Sequence, residues 1–147
     1  MPGIVRRPRR PVGWTAPGPS PCPPADTTAL GPHDGEDLCF LAGDWRILQR
    51  VDGHRWSLDD LVTAWAAANA AASRPPTRHL DLGCGIGTVL LLLAWRFPEV
   101  TSIGIEAQAV SADLARRSIA WNGVGQRTRI VEGDLRDPEG LPTVLPT

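Results

Sequence analysis

The run Leu80-Asp81-Leu82-Gly83-Cys84-Gly85-Ile86-Gly87 constrains this chain more than any other stretch of it. A short apolar strand over 78–82 precedes it, and an apolar segment of helical length, about 88–96, follows it. Glycines between the two let the backbone turn tightly and leave no Cβ between the chain and a bound ligand. The helix that follows points its free N–H groups at the same crevice. Strand, glycine turn and helix in that order predict a parallel α/β sheet with a ligand site at the carboxyl end of the strand.

The pattern continues in kind. A strand is predicted over about 101–105, a helix over about 110–121 that Asn122-Gly123 stops, and a strand over about 129–131, which gives β-α-β-α-β and right-handed crossovers. Upstream, Trp45, Ile47, Leu48 and Val51 run up to Asp52-Gly53, with Arg55-Trp56 beyond, and read as a hairpin across an Asp-Gly turn. Ser57 stands three residues before Asp60, the spacing of a capping box. Leu58, Leu61, Val62 and Trp65 then give the i, i+3, i+4, i+7 stripe of an amphipathic helix that ends before Pro75-Pro76, and both Trp65 and Trp95 are expected to be buried on helix faces. Residues 1–33 hold nine of the 15 prolines and no hydrophobic period, so they are expected to be a disordered tail.

Two ligand classes compete for the glycine turn. A dinucleotide fingerprint, G-x-G-x-x-G, needs glycine or alanine at position 88, which is Thr. The pattern found, D-x-G-x-G-x-G, resembles instead the first motif of class I, Rossmann-like methyltransferases that use S-adenosylmethionine. The resemblance implies that Asp81 and the backbone of Gly83, Gly85 and Gly87 hold the methionine part of that cofactor. A carboxylate beside the ammonium of a zwitterion is electrostatically sound, whereas one facing a pyrophosphate is not.

Glu106 closes the second strand 23 positions after Gly83, and in the resembled family the acid there accepts hydrogen bonds from the two ribose hydroxyls. Asp134, in Val131-Glu132-Gly133-Asp134-Leu135, stands where the family places an acceptor for the adenine amine. The hairpin-then-helix before the first motif is similar to the lead-in of the small-domain enzymes that methylate the exocyclic amine of adenine in transfer RNA. Asp59 matches an Asp of that lead-in lying near the methionine end of the cofactor. The resemblance spans residues 34–137, and branches that methylate ribosomal guanine or a release-factor glutamine share it.

The same families carry Asn-Pro-Pro or Asp-Pro-Pro with an aromatic residue after a fourth strand, and neither tripeptide occurs here. No residue is therefore assigned a catalytic role. The expected architecture is the first half of the fold, about three parallel strands with flanking helices, over residues 34–137. Residues 138–147 read as a closing loop of a chain expected to be truncated. The first strand would then expose an edge that recruits other chains, so a partner chain completing the sheet is one expectation and a non-catalytic cofactor-binding module is another.

Composition narrows the remaining classes. Net charge is −1, and residues 34–147 carry 11 Arg against 15 Asp and Glu, so the folded part has no overall basic footprint; an RNA substrate, transfer RNA first, is implied by the resemblance alone. Cys22, Cys39 and Cys84 are odd in number and lack C-x-x-C spacing, and His33, His54 and His79 are scattered, so neither disulfides nor a metal is expected, and a reducing cytoplasmic setting fits. No apolar run reaches the length of a membrane span. Cys84 reads as a small filler, although a thiol at a helix N-terminus can be acidified.

Overall fold

A computed structural model describes residues 1–137 of the protein. The expected strands and helices are present as β4 (Arg78–Leu82), α2 (Thr88–Arg96), β5 (Thr101–Glu106), α3 (Ala109–Trp121) and β6 (Thr128–Glu132), preceded by β1 (Ile4–Val5), β2 (Glu36–Phe40), β3 (Arg46–Arg50) and α1 (Leu58–Ala70). Strands β4, β5 and β6 lie side by side in sequence order and are parallel, which is the Rossmann-like half-sheet that the pattern predicts. Asp81, Gly104 and Ile130 form one row across it, and Leu82, Ile105 and Val131 the next row on the opposite face. The segment 138–147, expected to be a loop, lies outside the described residues.

The hairpin exists but turns elsewhere. Strand β3 is its second strand, pairing antiparallel with β2 from Glu36↔Arg50 to Phe40↔Arg46, and the turn is at 41–45, where the Leu41 N–H donates to the Trp45 carbonyl. Asp52-Gly53 lies in the loop after it. The buried Asp37 of β2 draws the Arg55 guanidinium across at 3.0 Å, while the Gln49 side chain takes the Trp56 N–H, so 55–56 cannot form the strand expected there. A third strand, β1, adds parallel to β2. Residues 1–33, read from composition as a disordered tail, here make specific contacts: Ile4 and Val5 pair with β2, the Gly35 N–H donates to the Met1 carbonyl, and the Cys22 N–H donates to the Asn122 carbonyl. Such isolated anchors leave no periodic signature in a proline-rich sequence.

Helix α3 joins the two sheets. Its Ser118 and Asn122, one turn apart, satisfy the outer edge of β3: Ser118 Oγ accepts the Leu48 N–H, and the Asn122 amide both accepts from the Arg46 N–H and donates to the Arg46 carbonyl, at 2.7 to 2.9 Å. Leu38, Trp45, Ile47 and Leu48 of the hairpin thereby share one core with Leu90, Leu91, Ala115, Ile119 and Ile130.

Helix α1 reverses its expected orientation. The capping box of Ser57 and Asp60 is in place, but the large stripe faces outward, with Trp65 65% exposed and Leu58, Leu61 and Val62 exposed with it. The contact with α2 is made by small residues. Ala64 is buried, and Ala68 and Ala71 pack on Leu93, Phe97 and Val100. A close helix approach selects for side-chain size before hydrophobicity, and the period-3.6 stripe does not say which of two apolar faces is the inner one. Trp95 is part-buried against the core, and the fully buried tryptophan is Trp45.

Candidate cofactor site

The glycine loop is held from below by β5. The Gly83 and Cys84 N–H groups both donate to the Ile105 carbonyl, at 2.9 and 3.0 Å, and the Gly85 N–H donates to Glu106 Oε2 at 2.8 Å. Gly83 and Gly85 have φ of +71° and +55°, which L side chains rarely adopt, and a Cβ at either would meet open space. Gly87, φ +83°, is the third expected glycine, and the structure turns it inward: its missing Cβ would stand 3.2 Å from Ala115 Cβ, so its smallness lets α2 start against α3. Two glycines therefore border the open space and one builds the scaffold.

Asp81 is half-buried on the helix-covered face of β4. Burial pushes its carboxyl above the ordinary range, the Leu90 N–H of the first turn of α2 opposes that, and the negative charge of Asp60 adds to it. Its Oδ2 is buried without a hydrogen-bond partner. A buried carboxylate oxygen with no donor, at a strand end next to two glycines that border open space, fits a ligand carrying a cationic N–H group.

Glu106, 7% exposed, spends both oxygens on backbone: besides Gly85, the Gln108 N–H at the start of α3 donates to Oε1 at 2.8 Å. It ties the loop to the end of β5, and each oxygen keeps a further lone pair for a hydroxyl. Asp134 stands two residues past β6 at the same end of the sheet, with its carboxylate clasped by the Arg136 guanidinium at 2.6 Å, which holds its pKa down to about 2. Asp59 is exposed on the first turn of α1. Its neighbour Asp60 is the carboxylate whose charge acts on Asp81, a link that sequence spacing hides because Asp60 already has a capping role.

Cys84 is a filler and not an acidified thiol. It is buried, and burial, with Asp81 and Glu106 nearby, pushes it up to about 12. It rests on Gly104, where a Cβ would stand 2.6 Å from the sulfur and 2.9 Å from Ile130 Cδ1. Gly104→Ala should therefore lift the loop, costing about 1 to 3 kcal/mol of stability, and should weaken cofactor binding as well. Adding Cys84→Ala should restore part of both, which urea unfolding and equilibrium binding of the two variants would measure.

Among the described residues, no group of three or more His, Cys, Asp or Glu could hold a metal ion, and no helix is long and apolar enough to cross a membrane.

A family model described as a methyltransferase domain matches residues 80–143. Over 78 residues the chain is 41% identical to a tRNA1(Val) (adenine(37)-N6)-methyltransferase of Porphyromonas gingivalis, covering 52% of this chain and 30% of that protein. Over 68 residues it is 35% identical to a release factor glutamine methyltransferase of Chlorobaculum tepidum, covering 46% of this chain and 23% of the relative. The chain thus spans less than a third of the length of either. In fold it is similar to P. horikoshii TYW2, solved in complex with MeSAdo, with a TM-score of 0.59 at 22% identity over 72% of this chain and 39% of that one. The resemblance to class I methyltransferases, transfer-RNA enzymes among them, holds in sequence and in fold, and S-adenosylmethionine is the cofactor of that family.

Proposed function

We propose, from the match of residues 80–143 to a methyltransferase-domain model, that this chain is the cofactor-binding part of a class I methyltransferase, binds S-adenosylmethionine and serves methyl transfer to a nitrogen, an adenine amine of RNA being the favoured acceptor. The observation that carries the reading is the donorless buried Oδ2 of Asp81 beside Gly83 and Gly85. In this reading Asp81 takes the ammonium of the methionine part, the loop backbone lies along it, Glu106 accepts from the ribose hydroxyls, and Asp134 turns from Arg136 to the adenine amine. Asp59 lies at the methionine end, where Asp60 sets the field. When bound, the cofactor supplies an electrophilic methyl group on a sulfonium sulfur. What the chain contributes is orientation of that group and a negative field at its ammonium end.

The acceptor class rests on the relatives. By their names, one relative acts on adenine N6 and the other on a glutamine of a release factor. The higher identity and the matching lead-in favour adenine. Titration with S-adenosylmethionine and, separately, NAD tests the cofactor; tight NAD binding with no response to S-adenosylmethionine would overturn it. Transfer of labelled methyl to bulk transfer RNA tests the acceptor. Binding without transfer would favour a cofactor-binding module that works with another chain.

A further inference from the structure

The N-terminal arginines do not trail from the domain. Strand β1 and the Arg6 N–H, which donates to the Leu38 carbonyl at 3.0 Å, tie the segment to the hairpin, and the Arg6 guanidinium reaches the buried carboxylate of Asp37 at 2.8 Å. Arg46 Nη1 donates to the Arg6 carbonyl from the other side. Beyond this clamp, Arg10 is ion-paired with Asp44 and lies over the ring of Trp14, 4.5 Å from its centroid. Phe40 is shared between Arg10 and Arg46, whose guanidinium carbons lie 5.2 and 3.5 Å from its ring centre. Trp14 keeps 43% of its surface exposed. Pro8, Arg9, Arg10, Pro11, Trp14 and Phe40 line an open cleft of about 390 Å³ here. Arg7 and Arg9 are exposed, and neither has a hydrogen bond or ion pair among the described residues.

An unpaired Arg9 guanidinium in one cleft with an exposed indole, and the exposed Arg7 two residues before it, are the elements with which proteins hold single-stranded nucleic acid: cations for phosphates and a ring for a base. We propose that this surface anchors the backbone of the RNA substrate, with Arg7 and Arg9 on phosphates and a base stacked on Trp14. The proposal rests on RNA being the acceptor. The place suits it. Phe40 and Arg46 sit at the Asn122 end of α3, and Glu106 sits at the Gln108 end, so the anchor and the cofactor site are separated by the length of a 13-residue helix, about 20 Å. A folded RNA reaches both, whereas a single side chain presented for methylation does not require the second.

Fluorescence anisotropy of a labelled 17-nucleotide RNA stem-loop with the full chain, over a series of KCl concentrations, tests the anchor. Arg7→Gln with Arg9→Gln should lower the slope of log affinity against log salt by about 1 to 2, and Trp14→Ala should weaken binding about tenfold with little change of slope. S-adenosylmethionine titration of both variants should match the parent chain. RNA binding unchanged in both variants would overturn the anchor while leaving RNA as the acceptor. No RNA binding by the parent chain would remove the RNA reading and the anchor with it. Competition by polyglutamate as strong as by RNA of equal charge would assign the surface to an acidic protein segment and overturn the proposal.

Discussion

Asp81→Asn should make the cofactor-free protein more stable at neutral pH and at the same time weaken its binding of S-adenosylmethionine by about 1.5 to 3 kcal/mol, the worth of hydrogen bonds to a charged group. The opposed signs follow from one fact. Burial raises the Asp81 carboxyl above its ordinary value, so between the unfolded and folded values the folded, empty protein keeps a proton that the unfolded chain has released, and above both it carries the cost of a buried charge. Stability linked to Asp81 is then full below the unfolded pKa and falls as pH rises through the folded one, the reverse of a salt-bridged carboxylate. Asparagine has no proton to lose and removes that slope. It also cannot balance an ammonium, so the cofactor loses its counter-charge. Thermal unfolding of both proteins across the acidic range, without and with S-adenosylmethionine, reads the two effects separately. A variant that loses stability at neutral pH, or that binds the cofactor as well as the parent, contradicts the assignment.

Replacing Glu106 has the second large expected effect, and its sign is the same in both assays. Glu106→Ala removes the acceptor of the Gly85 and Gln108 N–H groups together, which should cost about 2 to 4 kcal/mol of stability and release the loop that shapes the cofactor site. Glutamine is no conservative replacement. Both carboxylate oxygens face backbone donors, so an amide must turn its NH₂ against one of them. Glu106→Gln is therefore expected to retain less than half of the stabilisation. Urea unfolding with cofactor titration checks this, and a Gln variant as stable as the parent would show that the two hydrogen bonds are dispensable.

The parallel half-sheet was legible because each strand is bounded by a breaker or a cap, and because Asp81-x-Gly-x-Gly-x-Gly can only be a strand-to-helix turn. The positions of Glu106 and Asp134 followed from strand ends. What they touch did not. Glu106 holds the loop through two backbone donors, and Asp134 is clasped by Arg136, contacts that depend on backbone paths no spacing reports. The hairpin turn was misplaced because Asp52-Gly53 is the stronger local signal, while the pairing is decided by a buried Asp37 and by Leu38 opposite Leu48. The orientation of α1 was missed for a different reason: its alanines are weaker hydrophobes than Leu61, Val62 and Trp65, and only the distance to α2 makes them the inner face. Cys84 kept two readings open in the sequence, and its burial over Gly104 closed one.

The stitching of β3 to α3 by Ser118 and Asn122 bears on how this chain can be divided. By sequence, the lead-in ends and the cofactor motifs begin somewhere after Arg50, and that is where a graft or a chimera would be cut. Such a cut would strand the Arg46 and Leu48 amides of β3 on one piece and their side-chain partners, Asn122 and Ser118, on the other. Modularity here runs across the chain's order: the hairpin belongs with a helix some 60 residues downstream, and an exchange between homologues would have to carry both as a matched pair.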